Sequence, residues 1–279
     1  MAMKLLIPCR WPFRTPPVLA FVAFFLAGLL FTVLPAKAVT VERVVSPGGI
    51  EAWLVPDHTN PIISMRFAFR GGAALDPDGL GGLANMAASL LDEGAGDLDS
   101  KAFQAKLEDL VITLRFDAGR DTFGGNLKTL VKNRDTAFGL LKLALTGPRF
   151  DSEPVERIRS QILAGLRQES EVPGAIARKT LMKTLFPGHP YGRPVDGTEA
   201  SVARVARADL MGFVARRLAR NNLVIGVVGD IKAGTLKGLL DKTFGGLPMK
   251  AAVWDIPDTE PQGAGRTLVI KKPVPQSSI

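Results

Sequence analysis

The sequence predicts an α+β fold. Stretches with a two-residue apolar period alternate with long stretches of helical period, and Gly/Pro-rich turns separate them. The clearest strand signal is Ile63, Met65, Phe67 and Phe69, at every second position of "IISMRFAFRGG". The clearest helix signal is "EPVERIRSQILAGLRQESE", residues 153–171, which is amphipathic and opens on Glu153-Pro154. The chain has 279 residues, 46% of them apolar and 22% charged, a composition that supports a packed core.

The elements follow in order. "IEAWLVPD" (50–57) and residues 62–72 read as two strands joined around Asn60-Pro61. A turn-rich loop, "GGAALDPDGLGG", leads into a helix over about 83–92 whose polar face holds Asn85, Ser89 and Asp92. Asp99-Ser100 cap a second helix with Phe103, Leu107 and Leu110 on one face. Residues 111–130 read as a strand pair with Asp117-Ala118-Gly119 between them. Helices follow over 133–148, stopped by Gly147-Pro148, over 153–171, and from Gly174 to Leu185. A loop with three prolines (186–198), a helix (206–219), the strand "NLVIGVVGD" (222–230) and the helix "KGLLDKTFGGLP", closed by Gly245-Gly246, complete the series. From Met249 to Gly265 the composition of a linker takes over, and "RTLVIKKPVPQSSI" (266–279) reads as the opening strand of an incomplete second domain.

The N-terminus has a different character. Lys4, Arg10 and Arg14 precede an apolar run from Val18 to Leu34, and Pro35-Ala36-Lys37-Ala38 ends it in an A-x-A pattern. This is the layout of an export signal, residues 1–38, cleaved after Ala38. The expected location is the periplasm, with an uncleaved membrane anchor as the alternative. Lys4, Arg10, Arg14 and Lys37 supply four of the eight net positive charges. The remainder shows no dense basic patch with interleaved aromatics, so a nucleic-acid partner is not expected. Cys9, the single cysteine, lies in this segment, which leaves the rest without disulfide or thiol chemistry.

Several candidate sites compete with plainer readings. Residues 79–84 fit G-x-G-x-x-A, but the preceding strand ends near Phe69, too early for a dinucleotide turn. Asp92, Glu93, Asp97 and Asp99 lack the spacing of a calcium loop, and a solvated helix exit with an N-cap explains them better. His58 and His189, the only histidines, stand far apart in Pro-flanked loops. A zinc site would draw imidazoles from a fixed spacing, so a structural loop role is expected for His189. The segment "RFDAGRDTFGGNL" has polar and glycine positions suited to an open sheet edge, which takes an extended peptide as an added strand; on spacing alone an ordinary hairpin is the better explanation.

Taken together, "GAALDP", the Gly-rich turn, the helix "GLANMAASL", "FDAGRDTF", Glu156-Arg157, "FPGHPYGRPVDGT", "NLVIGVVGD" and "KKPVPQSSI" resemble, in order, the insulinase/pitrilysin-like zinc peptidases, including the mitochondrial processing peptidase. The resemblance runs from about residue 41 to 279. It implies a two-layer domain over 39–248, a mixed, largely antiparallel sheet with helices on one face, then a truncated second domain. In active members the helix after the Gly-rich turn carries H-x-x-E-H, both His binding zinc and the Glu activating water, with a distal Glu as the remaining ligand. Here those positions hold Asn85, Ala88, Ser89 and, near the distal site, Gly165. An amide, a methyl, a hydroxyl and a bare glycine are poor substitutes. The resemblance therefore implies a non-catalytic subunit that binds no zinc itself and pairs with a catalytic insulinase-like subunit acting on peptides. It also raises Phe116, Asp117, Ala118, Gly119 and Arg120 as a peptide-binding edge strand. The alternatives are a peptide-binding or scaffold protein without a peptidase partner, and a hydrolase using an unrecognised site.

Overall fold

The computed structural model describes residues 40–263 and 265–272, within a unit spanning Thr40–Ile279. The expected export segment, residues 1–38, lies outside the described residues. No helix among those described is long and apolar enough to cross a membrane.

Six strands form one mixed sheet: β1 (Glu42–Val45), β2 (Glu51–Pro56), β3 (Ile62–Arg70), β4 (Thr113–Ala118), β5 (Thr122–Leu130) and β6 (Leu223–Gly229). Their spatial order is β1-β2-β6-β3-β5-β4. Only β2 and β6 run parallel. The other pairs are antiparallel, with Met65 opposite both Leu127 and Val227. The two-residue period puts Leu54, Met65, Phe67, Phe69, Phe123, Leu127, Ile225 and Val227 on one face, all buried. Trp53, Arg66, Val224 and Val228 point the other way and are exposed.

The helices cover the buried face. They are α1 (Leu83–Ala88), α2 (Ser100–Asp109), α3 (Arg134–Thr146), α4 (Ser152–Glu169), α5 (Pro173–Leu185), α6 (Glu199–Val202), α7 (Arg207–Arg217) and α8 (Ala233–Phe244). Phe244 of α8 meets Phe67 edge-on at 6.0 Å, and Phe213 of α7 meets Phe123 at 5.0 Å. Each such ring removed from water contributes about 2–3 kcal/mol, so these contacts fix helices to sheet. The two-layer α+β arrangement matches the expectation.

The local differences have identifiable causes. The helix expected over 83–92 is regular only through Ala88, because Ser89 to Glu93 turn towards Gly94, whose φ is +111°. The hairpin turn is Gly119-Arg120-Asp121; Asp117 and Ala118 are already in β4. Gly124 and Gly125 sit in β5, an interior strand, rather than at an edge. A Cβ on Gly125 would come within 2.8 Å of the Phe67 ring, so the glycine makes room for a core aromatic. β1 and α6 are too short to show a period and were not anticipated. The strand expected from Arg266 does not form over 266–272, where no neighbouring strand supplies backbone partners; 273–279 lies outside the described residues.

Candidate functional site

The motif helix α1 is set by a buried carboxylate. Gly82, at its N-cap, has no side chain to cap with. Asp76 replaces it: one oxygen accepts from the Gly82 N–H at 2.9 Å and the other from the Ala84 N–H at 3.1 Å. Burial pushes the Asp76 carboxyl up to about 7, against the pull of these N–H groups and of Arg193. Arg193 ties the 186–198 loop to the same region, donating to Asp78 at 2.9 Å and to the Ala74 carbonyl at 2.9 Å. Sequence reasoning missed Asp76 because it stands six residues before Gly82, outside the local capping pattern.

On α1, Asn85 and Ser89 are half-buried and Ala88 is buried. The Ser89 hydroxyl donates to the Asn85 carbonyl at 3.0 Å, so it is spent within its own helix. On α4, Gly165 is exposed, and a Cβ built there would touch nothing within 4 Å. An amide, a buried methyl, a back-bonded hydroxyl and a glycine do not fit a zinc ion, which needs imidazole, thiolate or carboxylate donors.

Neither histidine substitutes for them. His58 lies at the end of β2, with Nδ1 2.5 Å from Asp230 Oδ1. His189 accepts from the Tyr191 N–H at Nδ1, 3.1 Å, and its Nε2 donates to the Pro257 carbonyl at 3.0 Å. Nδ1 of His189 serves its own loop, and Nε2 ties that loop to the segment after Met249.

The acidic residues after α1 separate into different functions. Asp99 caps α2 through the Ala102 N–H at 2.8 Å, as expected. Glu93 is not solvated: it bonds Arg157 of α4 at 2.6 Å and accepts from Ser100 Oγ. Asp92 is half-buried, and this burial pushes it up to about 6, with the neighbouring Glu93 charge adding to the rise and Gln104 and Arg115 opposing it.

β4 is one of the two edge strands of the sheet, with β1 at the other end, and α1 packs beside β4. Of the five residues considered for peptide binding, Phe116, Asp117 and Ala118 lie on this strand. The Phe116 ring turns inward, 5.9 Å from Phe67, and Asp117 pairs with Arg66 at 2.8 Å. Gly119 and Arg120 lie beyond the strand. Their carbonyls accept from the N–H groups of Ala73 and Ala74, so this backbone is already occupied. The edge open to pairing is therefore Thr113–Ala118.

This geometry has known counterparts. Residues 204–279 match the family described as the peptidase M16 inactive domain. The Helicobacter pylori protein named non-peptidase homolog YmxG is 29% identical over 231 residues, covering 82% of this chain and 53% of that protein. The solved M16 inactive domain from Pseudomonas fluorescens superposes with a TM-score of 0.73 at 27% identity, over 78% of this chain and 53% of that one. The chain is similar to insulinase-like proteins of the M16 peptidase type, among them ones named as inactive or non-peptidase. The insulinase-like fold extends to pitrilysin, with a TM-score of 0.71 at 17% identity over 81% of this chain and 25% of pitrilysin. The mitochondrial-processing peptidase subunit beta of Lentinula edodes is 22% identical over 202 residues, 72% of this chain and 42% of that protein. The chain thus spans about half the length of the curated relatives it matches. Both the matched family model and the Helicobacter pylori relative carry names that denote inactive or non-peptidase homologues.

Proposed function

We propose that this protein is the non-catalytic partner of a zinc peptidase, presenting β4 as a docking strand for extended peptides while the partner supplies the metal. The observation that carries this is the packing of α1 beside the edge strand Thr113–Ala118, with Asn85, Ala88 and Ser89, none of them a good zinc donor, on and at the end of that helix. An added strand gains main-chain hydrogen bonds without needing a catalytic group. Two relatives carry the names of subunits, mitochondrial-processing peptidase subunit beta and human cytochrome b-c1 complex subunit 1, which supports a paired assembly. On this reading the chain works after export, and N-terminal sequencing of the purified protein finds Val39 first.

The test combines metal analysis, peptide binding and reconstitution. The purified chain is expected to hold no stoichiometric zinc and to cleave no peptide alone. Extended peptides are expected to slow amide exchange in Thr113–Ala118. Adding a relative with intact H-x-x-E-H is expected to produce a complex that cleaves peptides faster than that relative alone. Chelator-sensitive cleavage by the isolated chain, or peptide binding that leaves β4 exchange unchanged, would overturn the proposal.

A further inference from the structure

A second concave site lies away from α1. Between the end of β3, the β4–β5 turn and the segment after Met249 is a cleft of about 580 Å³. Its walls include Arg70, Asp121, Tyr191, Trp254, Asp258 and Glu260. The wall contributed by residues 254–260 is pinned on both sides. The Ala252 N–H donates to the Arg216 carbonyl at 2.8 Å, and the Gln262 N–H donates to the Leu185 carbonyl at 2.8 Å. In between, the Pro257 carbonyl accepts from His189. Tyr191 is held edge-on by Phe186 at 5.8 Å and His189 at 4.9 Å. The cleft is therefore a formed feature rather than a loose flap.

Its charge is unbalanced. Three carboxylates, Asp121, Asp258 and Glu260, face one cation, Arg70. The Arg70 guanidinium is stacked over the Trp254 ring at 4.8 Å. Among the described residues, none of the three carboxylates has an ion-pair partner within 4.0 Å. A hydrogen bond to Asp121, burial and, more weakly, Asp258 push the Tyr191 hydroxyl upward, while Arg120, 5.9 Å over the Tyr191 ring, opposes them; with Arg70 and Arg120 both counted, the three carboxylates still leave the surroundings net negative. A volume in the range of small-molecule clefts, with aromatic walls and a net negative lining, suits an organic cation. A bare metal ion would need oxygens converging at about 2.3–2.6 Å, and among the described residues no three His, Cys, Asp or Glu side chains are placed to hold one.

We propose that this cleft binds an alkyl-guanidinium or alkyl-ammonium group, its charge set among Asp121, Asp258 and Glu260 and its stem against Tyr191 and Trp254. This does not rest on the peptidase-partner reading. The group has two sources, a free small cation or the basic side chain of a peptide.

The probe is N-acetyl-argininamide, titrated into the full chain and followed by the Trp254 indole resonance, assigned with Trp254→Phe. N-acetyl-citrullinamide is the neutral control. Asp258→Asn and Glu260→Gln lie on an exposed irregular segment and are expected to keep the wild-type melting curve. Each is expected to weaken argininamide binding about three- to fivefold, as for half-exposed ion pairs. Binding is also expected to weaken as salt is raised. Among supporting results, a peptide with one arginine that binds more tightly than argininamide, and loses that gain in Asp258→Asn/Glu260→Gln, identifies a peptide side chain as the source. Equal affinity identifies a free cation. Absence of saturable binding, equal binding of the citrulline control, or unchanged affinity in the double variant would each overturn the assignment.

Discussion

Gly197 and Gly188 form a matched pair for testing how the 186–198 loop holds α1. Both have positive φ, +75° and +73°. Around Gly188 a Cβ would meet nothing within 4 Å. At Gly197 it would lie 2.2 Å from the Gly81 carbonyl oxygen, 2.6 Å from its carbon and 2.9 Å from the Gly82 nitrogen. Ordinary C···O approaches stop near about 3.3 Å, so the loop or the turn before α1 must move by roughly 1 Å. Gly188→Ala bears only the left-handed backbone penalty, about 1–2 kcal/mol less the roughly 0.4–1 kcal/mol gained by restricting the unfolded chain. Gly197→Ala bears that and an overpacking term of about 1–3 kcal/mol. The expected costs are thus about 0–1.6 kcal/mol for Gly188→Ala and about 1–4.6 kcal/mol for Gly197→Ala, with Gly197→Ala the costlier by about 1–3 kcal/mol. Urea unfolding at constant m-value measures both. If Gly197→Ala falls within about 0.5 kcal/mol of Gly188→Ala, the noise expected for a neutral surface change, the contact with Gly81 does not hold the loop and the reasoning is refuted.

Other substitutions probe the remaining devices. Asp76→Ala strands two buried N–H groups at the start of α1 and is expected to cost about 2–4 kcal/mol by denaturant melts; a loss under about 1 kcal/mol would show that another group caps the helix. Ser89→Ala removes only a bond back into its own helix and is expected to change stability by less than about 0.5 kcal/mol in a thermal melt. Asp92 has a folded-state pKa raised to about 6, so its contribution is fully present below the unfolded value near 3.8 and is lost as pH rises through about 6. Wild type is therefore expected to lose up to roughly 2 kcal/mol from this group between pH 4 and 7, and Asp92→Asn to remove that part of the slope; parallel wild-type and variant curves would count against it. Asp76, raised to about 7, adds to the fall over the same window in both proteins.

Much of the fold was legible because its strands and helices carry strong periods. Ile63, Met65, Phe67 and Phe69 declare the central strand, and all four side chains are buried. Asp99 announces the start of α2 because its cap is local, three residues from the N–H it accepts. The reason for the glycines of β5 was not legible, since sequence spacing does not show that the Phe67 ring lies against Gly125 from the neighbouring strand. Whether Gly119 and Arg120 have free backbone depends on Ala73 and Ala74, residues more than forty positions earlier.

By itself, the sequence determined the alternation of elements, the amphipathic faces and the chemical poverty of Asn85, Ala88, Ser89 and Gly165, because these are properties of single residues and short periods. The tertiary structure decided which strand is the edge, which carboxylate caps α1, and that Asp121 and the segment around Asp258 share a cleft. Those features depend on groups brought together across separations from six residues, for the Asp76 cap, to 137, for Asp121 and Asp258, where burial and hydrogen-bond geometry, rather than local propensity, set the outcome.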